Sequence, residues 1–324
     1  MNDVTRMIRQ TLRGLRCRLI RVEMAGAHAR LARLKCEQEH VFNSLKQNFS
    51  AIYATLKAYD TAPFTTPTWE KYNARVEKAL LPVPPFGFLN DPTVMETMFI
   101  TRGGTCLREE LKFLEQTIAK GRLGLLLQED YAGDPLLSNT TYLTSHNSIH
   151  QLYHLIRFSK KTNCDVNEIN SVVEWDGGYG NMAKIFQRLK TRPSTYVIID
   201  TPLFSCIQWL YLATVLGSEK VNLCQKPEDR VAPRKINILP VCFVDSLDIS
   251  SDLFVSTWAL SESSSFSQDY VVQRNWFDAT HILLAYQQSN IDFPDADRVG
   301  RIAAVAGAVS EAIEFLPGNY YSFR

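Results

Sequence analysis

The 324-residue chain has no apolar run long enough to cross a bilayer as a helix, and its first residues lack the apolar middle stretch of a secretory signal. The expected placement is cytoplasmic. Paired cysteines are missing as well: the seven, at 17, 36, 106, 164, 206, 224 and 242, are odd in number and include no C-x-x-C. That spacing excludes a zinc ribbon or a dithiol redox motif and fits reduced thiols. Net charge is nearly absent, with 35 Lys and Arg against 34 Asp and Glu. A strongly basic nucleic-acid binder is thereby excluded. Glycine is sparse, at 15 residues, and three of them stand together at 177, 178 and 180.

Hydrophobic residues make up 45% of the chain, enough for a catalytic domain and an N-terminal extension. The near-zero charge hides an asymmetry, because residues 1–35 carry nine Lys or Arg against two acids. Ile8, Leu12, Leu15, Leu19 and Val22 step by three and four, which puts them on one helical face with arginines around it. Such a helix pairs with a second copy, lies on an anionic membrane surface, or simply packs at the terminus. Helix is expected through His40–Tyr59 and Glu109–Lys120, with a Pro/Thr-rich loop at Thr61–Thr68 and a proline-rich connector at Leu81–Leu89. The expected division is a basic helical segment at 1–60, a mainly helical acceptor-binding region at 61–165, and a cofactor-binding domain at 166–324.

Beyond residue 165 the apolar runs Val172–Glu174, Tyr196–Ile199, Ile236–Leu239, Leu253–Trp258 and His281–Ala285 are short and continuous. They predict parallel strands buried between helices, an α/β fold. Thr201, Pro202 and Gly217 bracket an apolar helix at Leu203–Leu216 as N-cap, first-turn proline and C-cap. A further helix is expected over Arg298–Phe315, stopped by Pro317-Gly318.

The first of these strands runs into Glu174-Trp175-Asp176-Gly177-Gly178-Tyr179-Gly180-Asn181-Met182-Ala183, a glycine turn opening a helix. Glycines let the backbone turn sharply and approach a ligand, and the helix start offers unpaired N–H groups. Asp200 closes the second strand twenty residues after Gly180, placed to accept from both hydroxyls of a ribose. The spacing satisfies the loose G-x-G-x-x-G/A dinucleotide fingerprint, so an NAD enzyme acting on a sugar nucleotide is one reading. Glu174 favours another, because a carboxylate there suits an ammonium and a sulfonium better than a pyrophosphate. That ligand is S-adenosylmethionine.

These residues, with Ile198-Ile199-Asp200-Thr201-Pro202-Leu203-Phe204, with Phe254 to Ser263, and with Ser145 to Leu155, resemble the sugar O-methyltransferases of bacterial polysaccharide loci, such as O-antigen loci. The resemblance covers about the last two thirds of the chain. It implies a class I methyltransferase fold, a Rossmann-like mostly parallel sheet with a helical N-terminal region. It also implies S-adenosylmethionine as donor and a glycan hydroxyl as acceptor. Asp176 stands where the family's signature has its first glycine. It either tolerates the turn or adds a second carboxylate for the methionine amino group, and the departure leaves a catalytically silent partner in glycan assembly as an alternative. After Arg324 there is no room for the fold's usual terminal hairpin, so the expectation is either a shortened sheet or a sequence that stops short of the hairpin.

An alcohol acceptor calls for a general base near the strand ends. Glu262, just beyond the fourth run, is the first candidate, and an acid interacting with a helix dipole is the alternative. His150 is the second, as base or acceptor-binding donor. His146, His150 and His154 share a helical face. No acid lies among them, so they are read as pocket-lining rather than metal-binding, and no metal is expected. His146, Asn147, His154 and Trp258, all within family-like segments, are taken as acceptor-binding. The cofactor set is Glu174, Asp176, Gly177, Gly178, Tyr179, Gly180 and Asp200, with Asp245 as an adenine contact or a plain loop acid.

Overall fold

The computed structural model describes residues 26, 29, 34–98, 100 and 105–324. The arginine-flanked face from Ile8 to Val22 lies outside them. A helix over 34–45 (α1) leads to α2 (Phe49–Lys57), α3 (Pro67–Leu80), α4 (Pro92–Thr97), α5 (Thr105–Thr117) and α6 (Lys120–Leu127). A small antiparallel pair, β1 (Leu137–Asn139) and β2 (Thr144–Ser145), precedes α7 (His146–Thr162). The start of α3 shows the local logic: the Thr66 hydroxyl accepts from the Trp69 N–H, and Pro67 occupies the first turn, where no amide donor is needed. No described helix is long and apolar enough to cross a membrane.

Strands and helices alternate from β3 (Ser171–Trp175) through α8 (Asn181–Leu189), β4 (Thr195–Asp200), α9 (Pro202–Leu216), β5 (Val221–Leu223), β6 (Ile236–Pro240) and β7 (Leu253–Thr257). They continue with α10 (Ala259–Glu262), α11 (Ser265–Gln273), β8 (His281–Gln287), α12 (Arg298–Val305), β9 (Val309–Ala312) and β10 (Asn319–Phe323). All five apolar runs form strands. Their burial on both faces explains why they read as continuous rather than alternating.

The sheet order is β5-β6-β4-β3-β7-β8-β10-β9. The first six strands are mutually parallel, and β10 runs antiparallel to both β8 and β9. With the short edge strand β5 set aside, this is a parallel five-strand core closed by an antiparallel hairpin, the class I methyltransferase fold. A dinucleotide-binding Rossmann sheet has no such reversal.

The hairpin lies within residues 309–323, which corrects the expectation that the chain has no room for it, and it corrects the helix expected there. The helix predicted over Arg298–Phe315 stops at Val305, because Gly307 takes a left-handed φ of 87° just past its end. Val309–Ala312 then becomes an edge strand, and Pro317-Gly318 turns between strands instead of ending a helix. An Ala- and Val-rich run fits either period, and only pairing with β10 decides it. Thr201 holds the N-cap position of α9, but its hydroxyl makes no cap bond and lies 3.4 Å from Asp200 Oδ1.

The helical layer and the sheet share one hydrophobic core that includes Phe42, Phe49, Leu56, Leu155, Ile198 and Phe323. A buried ionic joint locks them together. Lys184 of α8 donates to Glu129 Oε1 at 2.6 Å and to the Tyr211 hydroxyl at 2.8 Å, and lies 3.4 Å from Asp130. Arg188 pairs with Asp130 at 2.9 Å. The other oxygen of Glu129 accepts from the Ser145 amide and hydroxyl and from the Ser148 hydroxyl, which fixes the start of α7.

Candidate active site

β3 delivers the chain to a turn whose shape is dictated by two close approaches. A methyl group on Gly177 would lie 2.7 Å from Ile198 and 3.2 Å from Glu174 Oε2. One on Gly180, at φ 93° and the N-cap of α8, would lie 2.7 Å from Leu212. Neither site accepts a side chain without displacing a packed neighbour. Asp176 does take the left-handed conformation (φ 61°), its amide donating to Ile199 O at 2.8 Å. Its carboxylate accepts from the Gly178 amide at 3.4 Å, an Asx-type turn that lets a non-glycine residue sit there.

Four acidic side chains converge around this turn. Glu174 is 2% exposed and accepts from the Tyr196 hydroxyl at 2.9 Å. Burial pushes its carboxyl up to about 8. Glu262, 4% exposed, is also pushed up to about 8 by burial, with a further contribution from the Asp176 charge. Asp200 accepts from the Gly177 amide at 3.1 Å, Gln208 Nε2 at 2.5 Å and the Thr201 amide at 2.7 Å. Burial, then the adjacent Asp176, raises it well above the usual carboxylate range, and the two carboxyls share a hydrogen bond. Among the described residues none of the four forms an ion pair with Lys, Arg or His.

The acids line a cleft of two lobes that share Trp69, Asp176 and Phe204. One lobe, about 440 Å³, lies over the ends of β4 and β6 between Asp200, Thr201, Val241, Trp175 and Phe64. The other, about 630 Å³, holds Glu174, Gly177, Gly178, Tyr179, Asn147, Gln151, Trp258 and Glu262. Its position at the carboxyl ends of the parallel strands, where the order reverses, is the usual ligand crevice of open α/β sheets. The helical layer supplies the far wall. Phe64 packs on Phe266 and Tyr270, while Ser264 and Ser267 donate to the carbonyls of Pro63 and Phe64. The Thr61–Thr68 segment, expected as a plain loop, is therefore a wall pinned to α11.

Trp258 follows β7 at φ 66°, a strained conformation for a bulky residue, and its indole donates to Asn319 at 2.6 Å. Its ring stacks on His150 at 5.3 Å between centroids. His150 thus lies behind Trp258, with Nδ1 2.5 Å from Glu110 Oε1, and does not line the cleft as a base or acceptor-binding donor there would. His146 turns the same way, 3.5 Å from Glu110 Oε2. His154, expected at the acceptor, is fully buried against the Tyr321 hydroxyl at 2.7 Å, and burial depresses its pKa. It is a core histidine. Asp245 is corrected too: its side chain is 77% exposed and held by Tyr270 and Arg274, and Val241 occupies the lobe at that strand end. Asn147 does line the cleft.

Tyr196, Gln208, Trp69, Phe64 and Phe204 were not singled out by sequence reading. Each sits in an apolar run, a helix or a loop with nothing local to mark it, and only packing turns it toward the acids.

No protein-family model matches the sequence, and no curated protein does. Among solved structures the chain is similar to the pyocyanin biosynthetic protein PhzM, at 10% identity over 57% of each chain and a TM-score of 0.37. It is also similar to the mitomycin 7-O-methyltransferase MmcR, at 10% identity over 73% of this chain and 69% of that one, TM-score 0.37. A third is the fibrillarin of Aeropyrum pernix with natively bound S-adenosyl-L-methionine, at 11% identity over 49% and 68%, TM-score 0.34. The chain spans 57% of the length of PhzM. Likeness of this degree concerns architecture alone, and the strand order is what assigns the fold.

Proposed function

We propose that the chain is an S-adenosylmethionine-dependent O-methyltransferase acting on a sugar hydroxyl of a surface polysaccharide or its precursor. The observation that carries this reading is the set of four acids without a protein cation, gathered at a glycine turn in a class I methyltransferase sheet. Buried carboxyls with no cationic partner suit a ligand that brings its own positive charge. They oppose the pyrophosphate of NAD.

Glu174 and Asp176 would hold the methionine ammonium, and Asp200, already oriented by Gly177, Thr201 and Gln208, would receive the ribose hydroxyls. The cofactor supplies a methyl group activated by its sulfonium. Glu262 takes the acceptor's proton, since a carboxyl held near 8 is matched to base catalysis around neutral pH. The Trp69 and Trp258 rings with the Asn147 and Gln151 amides suit the faces and hydroxyls of a sugar. Contact of the basic segment 1–35 with an anionic membrane would fit a lipid-linked acceptor, and self-association through the same segment is the alternative.

Calorimetry with S-adenosylmethionine and with NAD tests the cofactor, and binding of NAD alone would overturn the reading. Glu262→Gln should keep cofactor affinity and lower turnover about 10²-fold or more. Cofactor binding with no turnover on any glycan would favour the silent-partner alternative.

A further inference from the structure

The three-histidine face of α7 does not meet the cleft, and the acid it lacks in sequence arrives from another helix. Glu110 on α5 reaches both His146 and His150, and the donor atoms of the three all lie within 4.8 Å of one another. We propose that Glu110, His146 and His150 form a binding site for a divalent cation of the zinc class. This inference stands independently of the methyltransferase reading.

The donor chemistry is two imidazoles and a carboxylate, a set that suits zinc, whereas magnesium and calcium prefer oxygen throughout. Metal bonds of about 2.0–2.2 Å place such donors about 3–3.5 Å apart. The contact from His146 Nε2 to Glu110 Oε2 is already 3.5 Å. His150 Nδ1, at 2.5 Å from Oε1, has to open by about 1 Å or less. Glu110 is completely buried, and among the described residues it pairs with no Lys or Arg. A buried carboxylate needs compensation for its charge, and a metal ion held with the two imidazoles would supply it. The side chains of His146 and His150 stay 15% and 20% exposed, so the rim of the site meets solvent, while the donor atoms His146 Nε2 and Glu110 Oε2 are themselves buried.

The site's consequence is positional. His150 is stacked under Trp258, and Trp258 borders the cleft beside Glu262. A metal bridging α5 and α7 would hold His150, and through it the indole, without touching the reacting atoms. His146 and His150 are positioning residues in this role.

The test is titration of the chelator-stripped full chain with Co²⁺ alone, followed by visible absorption. One equivalent per chain is expected, with ligand-field bands of a nitrogen- and oxygen-bound ion, displaced by Zn²⁺. Glu110→Gln and His150→Asn should each weaken binding more than about 100-fold, since even partners outside the coordination shell are worth 10–100-fold. His281→Asn, remote on β8, should leave it unchanged. The wild-type spectrum stands as evidence even where a ligand variant fails to fold. Absence of stoichiometric binding by the wild type overturns the assignment, as does equal affinity in folded ligand variants. A thiolate charge-transfer band would also overturn it, by placing the ion on a cysteine.

Discussion

Two groups of buried acids in this molecule share a burial and differ in everything that follows from it. Glu129 and Glu174 are each 2% exposed. Burial alone raises the pKa of both, but Lys184, with Ser145 and Ser148, pulls Glu129 far below its ordinary value, whereas Glu174 meets only the Tyr196 hydroxyl and rises to about 8. The first group closes its charge inside the fold and joins two layers. The second leaves its charge open toward a cleft, which is how a site for a cationic ligand differs from a structural joint.

The largest way to break the contrast is to open the closed group. Lys184→Met strands Glu129 without its buried cation, while Asp130 keeps Arg188, and should cost about 3–5 kcal/mol in urea unfolding. A loss below about 1 kcal/mol would mean that the joint contributes little.

The second prediction concerns pH and the open group. Glu174 and Glu262 have folded pKa values raised above those of unfolded carboxyls. Their contribution to stability is therefore complete below pH of about 4.3 and is lost as pH rises through about 8. The ligand-free protein should lose on the order of 4–5 kcal/mol between pH 6 and 8, about half from each carboxyl, and Glu174→Gln should roughly halve that slope. Binding of S-adenosylmethionine should strengthen over the same interval, as the carboxyls lose the protons that compete with the cation. A flat stability profile in the wild type would contradict the raised values.

A smaller effect is expected at Asp200, in the lobe over the ends of β4 and β6. Asp200→Ala should weaken cofactor binding by about 1.5–3 kcal/mol in calorimetry, the range for hydrogen bonds to a charged group. The variant leaves the Gly177 amide and the Gln208 side chain without their acceptor, so a modest loss of stability should accompany it. Unchanged affinity in the folded variant would remove Asp200 from the cofactor site.

Much of the sheet-forming half was legible in the sequence, and the reasons are local. The five parallel strands betray themselves because burial on both faces demands unbroken apolar runs, and the glycine turn because Gly177 and Gly180 have no room for a side chain. The helical half was legible as helix and little more. Its contributions to the cleft, Phe64, Trp69, Thr97 and Met98, lie in segments whose local pattern says nothing about what they face. The terminal hairpin was misread because Val309–Ala312 satisfies a helical period as well as a strand, and its pairing with Asn319–Phe323 is a contact between segments.

The sequence by itself determined the α/β alternation, the glycine turn and the chemical type of the residues around it, since these follow from steric and hydrophobic patterns within a few residues of chain. Only the tertiary structure decided which acids meet a basic side chain. Lys184 reaches back 55 residues to Glu129, Glu110 reaches 40 residues ahead to His150, and no cation of the described chain reaches Glu174, Asp176, Asp200 or Glu262. The physical reason is that a buried charge is balanced by whatever lies within a few ångströms in space, and separation along the chain carries no information about that distance.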